Sequence, residues 1–226
     1  CAQAHGAGYY LDNNFISVGS IGDIGCWSFC QDKIISTGGE GGMVTTNNEL
    51  FRDKIWSFKD HGKSFKKSFS KNINLGFRWL HDEFGSNFRM TEIQSAIGRA
   101  QLKKLREWTK IRTRNAMILN QNLSDVGLVR LAIPPDNIKH GWYKYYCYLN
   151  LEALSSDWDR IKIIKELSSA GFPAFEGSCS EIYLEKSFID RKLNPPNRLP
   201  IAKLLGETSL MFLVHPTISE GNMLKY

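Results

Sequence analysis

Two short apolar runs that flank a glycine-rich segment constrain the fold of this chain most strongly. Gly25–Cys30 and Gly41–Thr46 lie beside turn residues and are each predicted to form a strand. The residues between them include Lys33 and the glycine cluster Gly38–Gly42, and they are too few to hold a helix. We therefore expect two strands joined directly by a turn, and we expect that turn to be functional.

Helix signals follow this segment. Asn48 can cap a helix over residues 49–60, because its side chain can accept from the unpaired N–H groups of the first turn. Thr91 and Gln94 form a capping-box signature. Apolar residues then recur at helical spacing as far as Leu119, which predicts one long helix.

The remaining segments divide into a long loop and a second α+β region. Residues 63–88 show no clear period, and loops of that length are usually functional or disordered. The residue pattern changes near residue 125, where the second α+β region begins. A strand is predicted over Trp142–Asn150 and a helix over Asp157–Ala170, with its N-cap at Ser156 or Asp157.

The basic residues are concentrated in one block. The formal net charge is +6, and residues 48–115 hold most of the excess. Such a block could meet nucleic acid, a smaller polyanion such as a nucleotide diphosphate, or only solvent. No helix-turn-helix, aromatic ribonucleoprotein motif or metal finger accompanies it, and much of the charge belongs to the predicted long helix. We therefore expect no nucleic-acid partner.

The apolar runs and the cysteines of the sequence indicate the cellular compartment. No run approaches the roughly 20 apolar residues that a membrane-spanning helix needs, so we expect no membrane partner. The five cysteines are odd in number and are not spaced as a disulfide framework or a metal site. This pattern favours a cytoplasmic protein without a bound metal.

Lys33 is the residue with the most distinctive chemical context. It is the only basic residue among the first 47, and Ile34 and Ile35 follow it. Partial burial would favour the uncharged amine, which is the form that condenses with a carbonyl group. From spacing alone, an ordinary surface lysine remains the alternative.

Five successive landmarks resemble those of the DegT/DnrJ/StrS sugar aminotransferases. In chain order they are Cys1–Ala7, Gly22–Phe29, Lys33 with Gly39–Val44, His61–Gly62, and Gly85–Met90 with Gln94, Ala96, Gln101 and Leu102. The resemblance is dense over residues 1–105 and looser beyond them. It implies an α/β fold, that of the fold-type-I aminotransferases that bind pyridoxal 5′-phosphate (PLP).

The same resemblance implies a domain organisation. Residues 1–124 would be the C-terminal part of the large PLP-binding domain, with a mostly parallel sheet and the long connecting helix. Residues 125–226 would be a small, incomplete α+β domain. In this family, the carboxylate that pairs with the cofactor's pyridine nitrogen stands directly before the position of Cys1. We therefore expect the sequence to be part of a longer protein, truncated at both ends.

The family's chemistry suggests what the chain does. Its members use PLP to make amino sugars on nucleotide-linked keto-sugars, and they act as homodimers. The resemblance implies that glutamate donates the amino group and that a 4-keto-6-deoxyhexose receives it, for surface polysaccharide or other amino-sugar synthesis. Two alternatives stay open: a PLP-binding relative that is not an aminotransferase, and an inactive fragment with only a binding role.

The resemblance also assigns site residues. Lys33 would hold the cofactor through its amine and shuttle a proton as the catalytic residue. Ser28 would bind the cofactor phosphate, and Gln3 would contact the cofactor ring or its phenolic oxygen. Asn87 would reach the phosphate in the neighbouring subunit. Each of the last three could instead be an ordinary strand or turn residue. The loop Lys59–Arg78 is expected to meet the nucleotide diphosphate.

Overall fold

The computed structural model describes residues 1–71 and 76–226. The strands are β1 (Gly8–Leu11), β2 (Asn14–Ser17), β3 (Gly25–Ser28), β4 (Gly42–Thr45), β5 (Val129–Leu131), β6 (Ile138–Lys139), β7 (Tyr145–Leu149), β8 (Ala174–Phe175) and β9 (Ser209–Phe212). The α-helices are α1 (Glu49–Lys59), α2 (Phe65–Ser68), α3 (Glu92–Leu102), α4 (Leu105–Leu123), α5 (Arg160–Ser169), α6 (Lys186–Ile189), α7 (Pro200–Thr208) and α8 (Glu220–Met223). Among these described helices, none combines the length and the apolar character needed to cross a membrane.

The described chain forms two compact units. The first contains Cys1–Arg106 and Asp136–Gly141, and the second contains Glu107–Pro135 and Trp142–Tyr226. The compact units divide near the start of α4, because the buried face of this helix belongs to the core of the second unit. The domain division expected at residues 124 and 125 stays a prediction.

The first unit contains two small sheets. One has the strand order β2-β1-β6, and the other is the pair β3 and β4. The two strands predicted around the glycine cluster are therefore confirmed. In the pair, Ser28 lies opposite Gly42 and Cys26 lies opposite Val44.

All strand pairs of the described chain are antiparallel, whereas the sequence predicted a mostly parallel sheet for the large domain. The physical reason lies in the connections. A parallel pair needs a crossover of a dozen or more residues, usually a helix, whereas antiparallel strands can be joined by a turn. The connection between β3 and β4 over residues 29–41 contains no helix and turns back directly.

Local capping signals explain the helices of the first unit. The Asn48 side chain accepts from the backbone N–H groups of Leu50 and Phe51, which confirms the predicted start of α1. The capping box of Thr91 and Gln94 is also confirmed at the start of α3. The long helix predicted after it is interrupted after Leu102, and α4 begins as a separate helix. The two residues between these helices, Lys103 and Lys104, are neither Gly nor Pro, so the sequence does not predict the interruption.

The second unit packs helices on a four-stranded sheet with the order β5-β7-β9-β8. Burial alternates along β7, where Tyr145, Cys147 and Leu149 face the core. Ala116 and Leu119 of α4 pack in the same cluster. The predicted strand and helix of this region are present, although the N-cap of α5 is Asp159. Its carboxylate accepts from Lys162 N at 2.7 Å, so the prediction of Ser156 or Asp157 was wrong.

Candidate active site

Lys33 lies in a tight turn immediately after β3. Its backbone N–H donates to Cys30 O at 3.0 Å, and its Nζ lies 3.4 Å from Asp32 Oδ1. The side chain is 15% exposed, so most of it is covered. Ile34 and Ile35 are buried and anchor the backbone directly after the lysine.

Phe29 closes the loop that carries Lys33. Its backbone N–H donates to Gly41 O at 2.7 Å, and its carbonyl accepts from Thr37 N at 3.2 Å. The Thr37 side chain is buried, and its hydroxyl donates to Glu40 O at 3.2 Å. The loop therefore has a fixed base, although its middle is rich in glycine.

The N-terminal segment lies beside β3. Cys1 Sγ donates to Cys26 O at 3.1 Å, and the His5 ring packs against Trp27 and Phe29 with centroid distances of 5.3 and 5.7 Å. These contacts bring the segment that contains Gln3 next to the strand that contains Ser28. Two cofactor-binding residues expected from the sequence therefore lie on adjacent segments, with Lys33 in the turn that follows.

Ser28 and Gln3 differ in their exposure. Ser28 is partly buried at the end of β3, and its hydroxyl oxygen accepts from Cys30 N at 3.4 Å. The hydroxyl hydrogen can therefore be donated to an anion, as a phosphate requires. Gln3 is exposed.

His5 is a buried histidine with unsatisfied ring nitrogens. It is 3% exposed, and neither nitrogen has a hydrogen-bond partner among the described residues. Burial, followed by the positive charge of Lys33, lowers the pKa of His5 to about 4. The imidazole is therefore neutral at physiological pH, and the sequence could not distinguish this packed residue from a site residue.

Asn87 is held in place by the backbone of its neighbours. Ser86 N donates to Phe58 O at 2.8 Å, and Phe88 N donates to Lys59 O at 3.0 Å. These bonds join the Asn87 segment to the C-terminal end of α1. The fourth expected site residue therefore lies on a segment bound to the end of α1, whereas Ser28 lies at the end of β3 and Lys33 in the loop that follows.

Arg89 determines how the Asn87 carboxamide can be used. Asn87 Oδ1 accepts from Arg89 N at 3.4 Å and from Arg89 Nε at 3.1 Å. Since the oxygen is occupied, the two N–H donors of the carboxamide are the groups left for a ligand. Arg89 Nη2 also lies 3.2 Å from His61 Nε2, and the sequence assigned no role to either residue.

A buried carboxylate anchors the same cluster. Asp60 lies 3.0 Å from Lys63 Nζ, 3.8 Å from Arg89 Nη1 and 3.9 Å from Lys59 Nζ. Burial acts to raise the pKa of Asp60, but the hydrogen bond from Lys63 and the three positive charges outweigh it and lower the pKa. Three cations around one carboxylate leave the cluster with excess positive charge.

A groove of about 1380 Å³ runs along the first unit between β3, β4, α1 and residues 88–90. Its charged lining residues are Arg52, Lys54, Lys59, Arg89 and a single acid, Glu40. The groove is therefore positively charged, and apolar side chains such as Trp56 and Phe58 complete its walls. This combination suits a ligand that has both an anionic part and a flat or apolar part.

The side chains fit PLP chemically. A lysine amine, a hydroxyl donor and a carboxamide with available N–H donors are suited to an aldehyde and to a phosphate group. Among residues 1–71 and 76–226, no cluster of three or more His, Cys, Asp and Glu side chains could hold a metal ion.

Known proteins resemble this chain along nearly its whole length. The model of the DegT/DnrJ/EryC1/StrS aminotransferase family matches residues 1–224. The chain is 34% identical to GDP-perosamine synthase of Caulobacter vibrioides, over 98% of this chain and 54% of that protein. It is 30% identical to UDP-N-acetyl-3-dehydro-alpha-D-glucosamine 3-aminotransferase of Acidithiobacillus ferrooxidans, over 97% of this chain and 52% of that protein.

A solved structure agrees with this assignment. The aminotransferase from Psychrobacter cryohalolentis superposes with a TM-score of 0.92 at 50% identity, over 99% of this chain and 57% of that one. The chain belongs to the DegT/DnrJ/EryC1/StrS aminotransferase family, whose enzymes depend on PLP. The family and the α/β fold of the PLP aminotransferases are thus confirmed, whereas the predicted parallel strand pairs are not found among the described residues. The chain spans about half the length of the curated relatives it matches.

The position of the Asn87 segment should depend on Gly62. This glycine has φ +81°, and an added Cβ would overlap the carbonyl of Glu83. Gly62→Ala should lower the free energy of unfolding by at least about 3 kcal/mol, from backbone strain plus overpacking. Urea denaturation measures the effect.

Gly127→Ala is the matched control, because Gly127 has φ +70° but no atom within 4 Å of the added Cβ. It should cost only about 1–2 kcal/mol. Equal losses for the two variants would show that the contact between the two loop backbones does not matter.

His5 should make stability depend on pH. Its pKa falls from 6.5 to about 4 on folding, so between these values the unfolded state binds a proton that the folded state does not. The free energy of unfolding should fall by roughly 1.4 kcal/mol per unit as pH decreases through this window. His5→Phe, which cannot ionise, should show a shallower slope in urea denaturation between pH 7 and 4.5. Parallel slopes for the two proteins would contradict the prediction.

Proposed function

We propose that the full-length protein is a PLP-dependent aminotransferase that aminates the ketone of a nucleotide-linked sugar. The observation that carries the proposal is the placement of Lys33, a largely covered lysine in the closed loop directly after the strand of Ser28. Membership of the family supports the same reaction class. The names of two relatives, a GDP-perosamine synthase and a UDP-sugar 3-aminotransferase, support a nucleotide-sugar substrate.

The finer substrate choice is part of this proposal. We favour a 4-keto-6-deoxyhexose as acceptor and glutamate as donor. The basic residues of the groove support a diphosphate-containing ligand, because Lys and Arg pair well with phosphate oxygens. The loop Lys59–Arg78, which was expected to meet the diphosphate, includes residues 72–75, which lie outside the described residues.

Each residue near β3 has a defined part in this reaction. When bound, PLP supplies an electron sink that stabilises negative charge on the reacting carbon. Lys33 Nζ would hold the cofactor and, after its release, would carry the proton that moves during amino transfer. Ser28 Oγ would donate a hydrogen bond to the phosphate, and the Gln3 carboxamide would contact the ring or its phenolic oxygen.

The proposal includes a homodimer in which Asn87 serves the partner subunit. The large apolar residues around Asn87 support this, since Phe84 is 99% exposed, Phe88 65% and Phe58 57%. Exposed apolar groups of this size are typical of protein interfaces. The N–H donors of Asn87 suit the phosphate role proposed for it.

A cytoplasmic location and a role in surface polysaccharide or amino-sugar synthesis complete the proposal. All five cysteines are free, as expected in a reducing compartment. The nucleotide-linked sugars in the names of the relatives support the biosynthetic role.

Lys33→Ala should abolish covalent cofactor binding in the full-length protein, because no other group in the proposed site can replace the amine. The expected result is loss of the visible absorbance band that PLP shows when bound to a lysine. Lys110→Ala is the matched control, since Lys110 is exposed on α4 and pairs only with Glu107 among the described ion pairs. A normal absorbance band in Lys33→Ala would refute the assignment.

Mixing two inactive full-length variants tests whether Asn87 acts in the partner subunit. Lys33→Ala and Asn87→Ala should each have low activity alone. After subunit exchange, mixed dimers should contain an intact site, so roughly a quarter of all sites should recover activity. No recovery, with exchange verified by differently tagged subunits, would show that both residues serve the same subunit's site.

A further inference from the structure

Two glutamines of α3 form hydrogen bonds with the loop that carries Lys33. Gln94 and Gln101 are two helical turns apart and therefore lie on the same face of the helix. Gln101 Oε1 accepts from Ser36 N at 2.9 Å, and Gln94 Nε2 donates to Glu40 O at 2.8 Å. These bonds connect residues that are 65 and 54 positions apart in the chain.

The backbone partners determine the orientation of each carboxamide. Ser36 N–H can only donate, so Gln101 must present its oxygen. The carbonyl of Glu40 can only accept, so Gln94 must present its nitrogen. Gln94 Oε1 is used at the same time, because it accepts from Thr91 N and from Thr91 Oγ1, both at 3.0 Å. Gln94 thus caps α3 with one end and binds the loop with the other.

Without these two bonds, the segment between Ser36 and Glu40 would have more conformational freedom. Gly38 and Gly39 have φ values of +80° and +147°, and glycine loses more backbone freedom on ordering than other residues. Ser36 comes three residues after Lys33, and Glu40 closes the turn that precedes β4. The two glutamines therefore hold both sides of the glycine turn, in addition to the base formed by Phe29.

We infer that Gln94 and Gln101 form a clamp that positions Lys33 for its reaction with the cofactor. Both are positioning residues, because their hydrogen bonds hold the backbone of the loop that carries Lys33. Gln94 also lines the positively charged groove. The inference rests on the proposed role of Lys33. It assigns a purpose to the amide of Gln94 that the capping box alone does not require, since a glutamate would cap the helix equally well.

The clamp needs a hydrogen-bond acceptor at Gln101 and a donor at Gln94. Substitution by Glu at each position therefore gives a matched pair of variants. Gln101→Glu retains an oxygen acceptor for Ser36 N, so the bond should survive. Gln94→Glu retains the capping box but loses the donor and places a carboxylate against the carbonyl of Glu40. Both substitutions add the same charge to the same helix, but only Gln94 lines the groove. Hydrogen–deuterium exchange without the cofactor therefore separates the loss of the bond from repulsion of an anionic ligand. Gln101→Met removes the acceptor at nearly constant volume and completes the set.

The experiment uses the full-length protein and two readouts. Hydrogen–deuterium exchange of the peptide covering residues 34–41 reports on the loop without the cofactor. The rate at which added PLP produces the absorbance of the lysine-bound form reports on Lys33. Gln94→Glu and Gln101→Met should each show faster exchange and cofactor uptake slowed by roughly tenfold, the equivalent of about one hydrogen bond. Gln101→Glu should behave like the wild type in both.

Several outcomes would overturn the inference. Wild-type exchange and uptake in Gln94→Glu would show that its amide does not position the loop. Equal impairment of Gln101→Glu and Gln101→Met would show that the accepting oxygen is not what matters, and this comparison stands even if Gln94→Glu does not fold. If the wild type forms no lysine-bound PLP, the proposed function is refuted. If the wild type takes up PLP normally but the variants do not differ as expected, only the clamp is refuted.

Discussion

The site depends on the two hydrogen bonds that the backbone of Phe29 makes across the loop that carries Lys33. The Phe29 N–H donates to Gly41 O and its carbonyl accepts from Thr37 N, so a single residue closes the loop. This closure brings β4 back beside β3 and leaves Lys33 in the turn, with the buried Ile34 and Ile35 fixing the backbone after it. A glycine-rich loop without such closure would leave the lysine amine in many positions, which an active site cannot use.

The electrostatic character of the first unit follows from where its basic residues lie. Part of the basic block read from the sequence is the outer surface of helices, but Arg52, Lys54, Lys59 and Arg89 line one groove. Arg89 links this groove to Asn87 and to the buried Asp60. Arg89 therefore places the Asn87 carboxamide, the proposed phosphate contact, beside the positively charged groove, which supports the proposal of an anionic ligand.

Local signals predicted much of the fold, and long-range contacts account for what was missed. The strands around the glycine cluster and the caps at Asn48 and Thr91 follow from neighbouring residues. The break after Leu102 carries no distinctive local signal, and the cap at Asp159 carries one that Ser156 and Asp157 share, so the local sequence could not choose among them. The loop clamp was equally hidden, because its partners are distant in the chain. The resemblance supplied the roles of Gln3, Ser28, Lys33 and Asn87, which composition and spacing could not, and these roles stay predictions.

The most direct test of the central claim locates the lysine that holds the cofactor. Full-length protein saturated with PLP is reduced with borohydride, which makes the lysine–cofactor link permanent, and then digested and mapped by mass spectrometry. The account predicts a single modified residue, Lys33. Modification of another lysine, such as Lys63 beside Asp60, or the absence of any modified peptide, would contradict it.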